Sequence, residues 1–212
     1  DDAYNHLIIC NMYGGNDISG TIKGDMEATW TKSTWPVLNE VGLNSYIQVS
    51  GTNPGTKGFP LVGNVYGGGN GDYDYESHKD SNGKETNPYA GLKSPDVGIS
   101  LLEIDGGTTL NAFGGGNKAT ITDDAYIFVN VPKDNNGEYH FADVSFTDYQ
   151  KQILDDKFFK TVRYGYSWNG DELIMSEHHV DNIYGGNNVA TMTIQPKWNL
   201  KQGRVGNVYS GG

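Results

Sequence analysis

Scarcity bounds this chain of 212 residues before any motif does. Its single cysteine, Cys10, excludes an intramolecular disulfide, and its place in the apolar run Leu7-Ile8-Ile9-Cys10 predicts a buried structural thiol. Basic side chains are few, 15 against 26 acidic, and the net charge of −11 repels phosphate backbones and anionic membranes. Nucleic acid is therefore excluded as an expected partner. No apolar run approaches the roughly 18 residues that cross a bilayer, so no membrane insertion by this segment is expected. Apolar side chains make up 36% of the chain, which predicts a thin, elongated core. The chain has no initiating Met, signal or lipidation motif, and it stops on Ser210-Gly211-Gly212 inside a repeated phrase. A piece of a longer protein is the expectation.

Catalytic motifs are scarce too. A phosphate-binding loop needs Gly-Lys-Ser/Thr and a following helix, and the glycine-rich stretches here run into strand-like sequence. The calcium-binding nonapeptide array needs a fourth glycine and a repeat every nine residues, which Gly67-Gly68-Gly69-Asn70-Gly71-Asp72 does not supply. His178-His179 sits between Glu177 and Asp181, but adjacent residues on a strand point to opposite faces, and no His-Glu-x-x-His exists. A surface or packing role is expected for both histidines.

What the chain does have is one phrase five times over. It reads Asn11-Met12-Tyr13-Gly14-Gly15-Asn16, Asn64-Val65-Tyr66-Gly67-Gly68-Gly69-Asn70, Asn111-Ala112-Phe113-Gly114-Gly115-Gly116-Asn117, Asn182-Ile183-Tyr184-Gly185-Gly186-Asn187 and Asn207-Val208-Tyr209-Ser210-Gly211-Gly212. The aromatic recurs after 53, 47, 71 and 25 residues, close to multiples of one unit of about 25. Such spacing suits the coils of a solenoid, in which no unit buries its apolar face alone and each must stack on its neighbour. The fold expected is all-β: a right-handed parallel β-helix, residues 1–212 as one domain.

Strand-like runs flank the phrases: Tyr46-Ile47-Gln48-Val49, Ile99-Ser100-Leu101-Leu102-Glu103-Ile104 and Glu172-Leu173-Ile174-Met175 before them, and residues 18–22, 119–121 and 190–194 after them. In the last run Ala190, Met192 and Ile194 share one face and Thr191 and Thr193 the other. Consecutive glycines at the bend permit positive φ and let neighbouring backbones approach closely, while stacked Asn and Tyr/Phe side chains form ladders. Two long insertions are expected, at about 71–97 and 132–176. In the second, a capping box at Thr147-Asp148-Tyr149-Gln150 and apolar residues at helical spacing predict one short α-helix over about 148–160.

Candidate ligand groups lie in the irregular segments. Extended Gly71-Asp72-Tyr73-Asp74-Tyr75-Glu76 projects Asp72, Asp74 and Glu76 on one face, a set that suits Ca²⁺, with a solvated acidic loop as the alternative. Tyr73 and Tyr75 on the other face, with Trp30, Trp35 and Trp168 elsewhere, are candidates to meet a carbohydrate, or else to cover the core. For an enzyme the carboxylates to consider are Asp123, Asp124, Asp155, Asp156, Asp171 and Glu172, which the sequence alone does not pair in space.

The phrase with its following Ala-Thr strand, as in Gly115-Gly116-Asn117-Lys118-Ala119-Thr120-Ile121 and Gly186-Asn187-Asn188-Val189-Ala190-Thr191, resembles repeats in large secreted surface proteins of gut-type bacteria. The resemblance covers about a third of the chain and implies an adhesin-like, non-catalytic β-helical repeat protein. Such a protein is extracellular or at the cell surface and contacts glycan or a host or environmental protein. It implies no cofactor beyond the Ca²⁺ considered above. Two other classes stay open: a β-helix glycoside hydrolase or polysaccharide lyase, and a structural spacer whose end coils stack on neighbouring repeats of the parent protein.

Overall fold

A computed structural model describes residues 8–22, 45–49, 61–139, 152, 166–169, 172–175 and 178–211. Its elements are all strands: β1 (Ile8–Tyr13), β2 (Thr21–Ile22), β3 (Ser45–Val49), β4 (Leu61–Tyr66), β5 (Asp96–Ile104), β6 (Thr108–Phe113), β7 (Thr120–Asn130), β8 (Tyr166–Asn169), β9 (Glu172–Met175), β10 (Val180–Tyr184), β11 (Lys197–Gln202) and β12 (Val205–Tyr209). Each copy of the phrase begins inside a strand of one five-stranded sheet, ordered β1-β4-β6-β10-β12. Every neighbouring pair in it is parallel, with Asn opposite Asn and aromatic opposite aromatic. A second parallel sheet runs β11-β7-β5, with β2 and β3 both paired to β5.

The alternation inside the phrase explains the layering. With a side-chain period of two, Asn and the aromatic share one face and the apolar residue between them takes the other. Val65, Ala112 and Ile183 accordingly pack in one buried cluster with Ile47, Val49, Leu102, Ile104, Ile127 and Val129 of the second sheet. Each large aliphatic side chain in it contributes about 1.5–3 kcal/mol by leaving water. The core thus lies between the two sheets, and the Asn and aromatic side chains line the opposite face of the first.

The glycine bends work by one of the two expected means. Among the described residues positive φ occurs at Gly20, Gly71, Gly83, Gly91, Gly107, Gly137 and Gly203, and at no bend glycine of the phrases. Close approach is the reason instead: a Cβ on Gly15 would stand 2.6 Å from the Gly69 nitrogen, and one on Gly185 would stand 2.8 Å from the Ser210 carbonyl. Ladder hydrogen bonds continue through the bends, from Gly67 N–H to the Phe113 carbonyl at 2.9 Å and from Gly114 N–H to that of Tyr184 at 2.9 Å.

Two strand expectations need correction. The run over 18–22 keeps only Thr21–Ile22 as strand. The run over 190–194 forms no strand, although Ala190, Met192 and Ile194 are half-buried and Thr191 and Thr193 exposed, the alternation expected of one. Met192 and Ile194 pack on Val97, Ile121 and Ala125, but the Thr191 carbonyl accepts from Asn187 Nδ2 at 3.1 Å. Pairing with β7 starts at Lys197, directly after Pro196, which has no N–H to give. The run over 172–175 is a strand as expected, β9, and it pairs antiparallel with β8 inside the second insertion. In the first insertion, residues 71–95 contain an isolated antiparallel bridge, Lys79 to Glu85, before β5 begins. The expected helix over 148–160 lies outside the described residues apart from residue 152, and Trp30 and Trp35 lie outside them altogether.

Candidate functional site

The outward face of the first sheet carries two side-chain ladders. Nδ2 of Asn64 donates to Oδ1 of Asn11 at 2.9 Å, Asn111 to Asn64 at 2.9 Å, Asn182 to Asn111 at 3.1 Å and Asn207 to Asn182 at 3.0 Å. Beside it, Tyr13, Tyr66, Phe113, Tyr184 and Tyr209 stack with centroids 4.9, 4.7, 4.8 and 5.0 Å apart and ring planes within 12° of parallel. These are the spacings of hydrogen-bonded strands. Each Asn bond contributes a net ~0.5–1.5 kcal/mol and each ring pair a similar amount beyond its buried area.

A third ladder went unread in the sequence. Asn188 Nδ2 donates to Asn117 Oδ1 at 2.9 Å, Asn117 to Asn70 at 2.9 Å, and Asn70 to Asp17 Oδ1 at 2.8 Å. The signal was available: these residues are separated by 71, 47 and 53 positions, as the first ladder's are. It was hidden because, of the four phrases concerned, two have two glycines and two have three. Asn16 and Asn187 occupy the place of the third glycine, so Asp17 and Asn188 align with Asn70 and Asn117. Asn187 is 2% exposed, and its Oδ1 accepts from the Gly116 N–H at 2.8 Å.

Between the first and third ladders lies an open groove of about 630 Å³, with Asn11, Tyr13, Asn64 and Tyr66 on one side and Asn70, Asn117 and Asn188 on the other. Asp72, Tyr73, Lys118 and Val189 complete its walls. Charge gathers at one end. Tyr73 donates its hydroxyl to Asp17 Oδ2 at 2.6 Å, and this bond and the one from Asn70 hold the Asp17 carboxyl below its ordinary range. The same bond pushes the Tyr73 phenol up to about 12. Burial raises the Tyr13 phenol, with help from Asp17 and Asp72. Asp72 forms an ion pair with Lys118.

The residues expected to bind ligand take these places. Asp72, Asp74 and Glu76 are exposed and Tyr73 and Tyr75 half-buried, the alternation of an extended segment. Asp74 Oδ2 lies 2.6 Å from His78 Nε2, and Asp74 Oδ1 accepts from the Glu76 backbone N–H at 2.8 Å. Asp72 pairs instead with Lys118. Among the described residues no group of three His, Cys, Asp or Glu could hold a metal ion. Tyr75 donates to the Ile18 carbonyl at 2.5 Å, so both tyrosine hydroxyls fasten the insertion to the stretch after β1. Trp168 lies in β8 opposite Leu173, apart from the ladders in the pairing scheme. Asp124 accepts from Lys197 Nζ at 2.7 Å and from Tyr126 at 3.2 Å, whereas Asp155, Asp156 and Asp171 lie outside the described residues. Glu172 lies in β9, and Asp123 is exposed on β7.

The two histidines have different partners. His179 is fully buried, its Nδ1 accepting from the Arg204 backbone N–H at 2.9 Å and its ring edge-on to Tyr139. His178 Nδ1 lies 3.4 Å from Asp181 Oδ1, and burial pushes the Asp181 carboxyl up to about 6 against the pull of His178. Cys10 is half-buried, and desolvation raises its thiol, the direction of an unreactive sulfur. No family model, curated protein or solved structure matches this chain.

Proposed function

We propose that the chain is a right-handed parallel β-solenoid serving as a non-catalytic, adhesin-like repeat scaffold of a secreted or cell-surface protein, in contact with glycan or protein ligands. The observation that carries this reading is the in-register stack of five phrases, in which Asn meets Asn and aromatic meets aromatic in the next strand. Solenoid winding is supported by the order of the chain, which passes from one sheet to the other and back at each repeat. The general hand of parallel crossovers makes that winding right-handed. A surface location rests on the resemblance to bacterial surface repeats and on the acidic, phosphate-repelling composition.

One observation favours stacking on further repeats as a second role. Val208 and Tyr209 of β12 are 41% and 46% exposed, an apolar strand edge of the kind that pairs with another strand. The ligand-contacting role is tested by a glycan array probed with residues 1–212, with and without Ca²⁺. Selective binding is the expected result, and Ca²⁺ dependence would assign a role to Asp72, Asp74 and Glu76. A blank array in both conditions would remove glycan from the reading and leave protein contact and stacking.

A further inference from the structure

The groove between the Asn ladders has a chemistry narrower than the scaffold reading requires. It reaches from Asn11 on the first strand to Asn188 and Val189 beyond the fourth, three strand spacings, or about 14 Å along the stacking axis. Along one wall Asn70, Asn117 and Asn188 repeat the same amide at every step. An amide has two N–H donors and an oxygen with two lone pairs, and the ladder uses one N–H of each. A second N–H per residue remains, repeated from strand to strand along the groove.

Charge and aromatic geometry narrow the occupant further. Among the described residues the one cation lining the groove, Lys118, is paired with Asp72, and Asp17 stays ionised under its two hydrogen bonds. With a net charge of −11 behind it, the groove repels anionic chains. The inner rings of the aromatic ladder have their faces against each other, so they offer no platform for a sugar ring. A periodic array of amides with no uncompensated positive charge matches a ligand rich in hydroxyl groups at regular intervals.

We propose that this groove binds a neutral linear glycan lying along the stacking axis, held by hydrogen bonds to Asn70, Asn117 and Asn188 rather than by stacking on aromatic faces. The proposal rests on the ligand-contacting reading above and adds the site, the direction and the ligand class. Val189, 56% exposed on the groove wall, permits a test that leaves the ladders intact. Neutral linear oligosaccharides of increasing length and an anionic polyuronate series are titrated against the full chain, Val189→Trp and Leu92→Trp. Leu92, 42% exposed, does not line the groove and serves as control.

The expected result is neutral-glycan binding that strengthens with length to a plateau, at least tenfold weaker in Val189→Trp and unchanged in Leu92→Trp, with equal melting temperatures. Glycan binding unaffected by Val189→Trp would overturn the site while leaving the ligand-contacting role standing. Equal or tighter binding of the polyuronates would overturn the ligand class, and no binding of any neutral glycan would overturn the proposal itself.

Discussion

Adding one methyl group at Gly115 should unfold this protein at a markedly lower temperature, although the backbone there has an ordinary φ that alanine adopts freely. At an unobstructed site the change would stabilise by about 0.4–1 kcal/mol, because alanine has fewer unfolded conformations to lose. The space is taken, however. A Cβ on Gly115 would overlap Oδ1 of Asn187 and stand 2.8 Å from its Cγ and 3.0 Å from its backbone nitrogen. Asn187 would have to give up its bonds to the Gly116 N–H and the Thr191 carbonyl, worth about 1–3 kcal/mol together. The buried Gly116 N–H, left unpaired, costs a further ~1–3 kcal/mol.

The net loss is about 2–5 kcal/mol, which for a chain of this size lowers Tm by about 10 °C. Thermal unfolding followed by far-UV circular dichroism reads it directly. Asp74→Asn, on the exposed insertion, is the comparison and should melt with the wild type. An Asn187→Gly background removes the Oδ1 and Cγ overlaps and leaves the backbone nitrogen at 3.0 Å, and Gly115→Ala should then cost less than about 1 kcal/mol. A Gly115→Ala protein that melts with or above the wild type, or a loss undiminished on the Asn187→Gly background, would refute the close-approach account.

Two further predictions concern the Asn ladder and a buried carboxyl. Asn111→Ala removes a 3%-exposed residue bonded on both sides, and urea unfolding should show a loss of about 2–4 kcal/mol, whereas Asn207→Ala, exposed and bonded on one side, should lose less than about 1 kcal/mol; equal losses would contradict the ladder. The Asp181 carboxyl is raised in the folded state to about 6, so folding is aided while the group holds its proton and that aid is lost as pH rises through about 6. Asp181→Asn should therefore raise stability at pH 7.5 by on the order of 1–3 kcal/mol and change it little at pH 4, and a gain that is the same at both pH values would contradict the desolvation cause.

The parallel ladders were legible in the sequence because their residues repeat in type. Asn-x-aromatic in five copies, with an apolar residue between, specifies which side chains meet and which face the core. The means of bending was half legible: consecutive glycines signal a special backbone, but sequence does not separate positive φ from missing space, and here the second operates. Thr191 misled because alternation reports which face a residue covers, not whether its backbone joins a ladder; its carbonyl bonds the Asn187 side chain instead. The groove was hidden because its second wall depends on Asp17 and Asn188 aligning with Asn70 and Asn117, an alignment that follows only once Asn16 and Asn187 are seen to replace a glycine. The Asp72, Asp74 and Glu76 edge was read for its charges, whereas Lys118 and His78, which pair with two of them, come from elsewhere in the sequence or across a turn.

The most direct test of the stacked phrases is a nuclear Overhauser spectrum of the isotope-labelled chain, looking for contacts between residues far apart in sequence. Cross-peaks should link the side-chain amides of Asn64 and Asn111, and of Asn111 and Asn182, which lie 47 and 71 residues apart. The rings of Tyr66 and Phe113 should be linked in the same way. Cross-peaks that instead pair these strands antiparallel, or Asn and ring resonances with no such partners, would contradict the in-register stack.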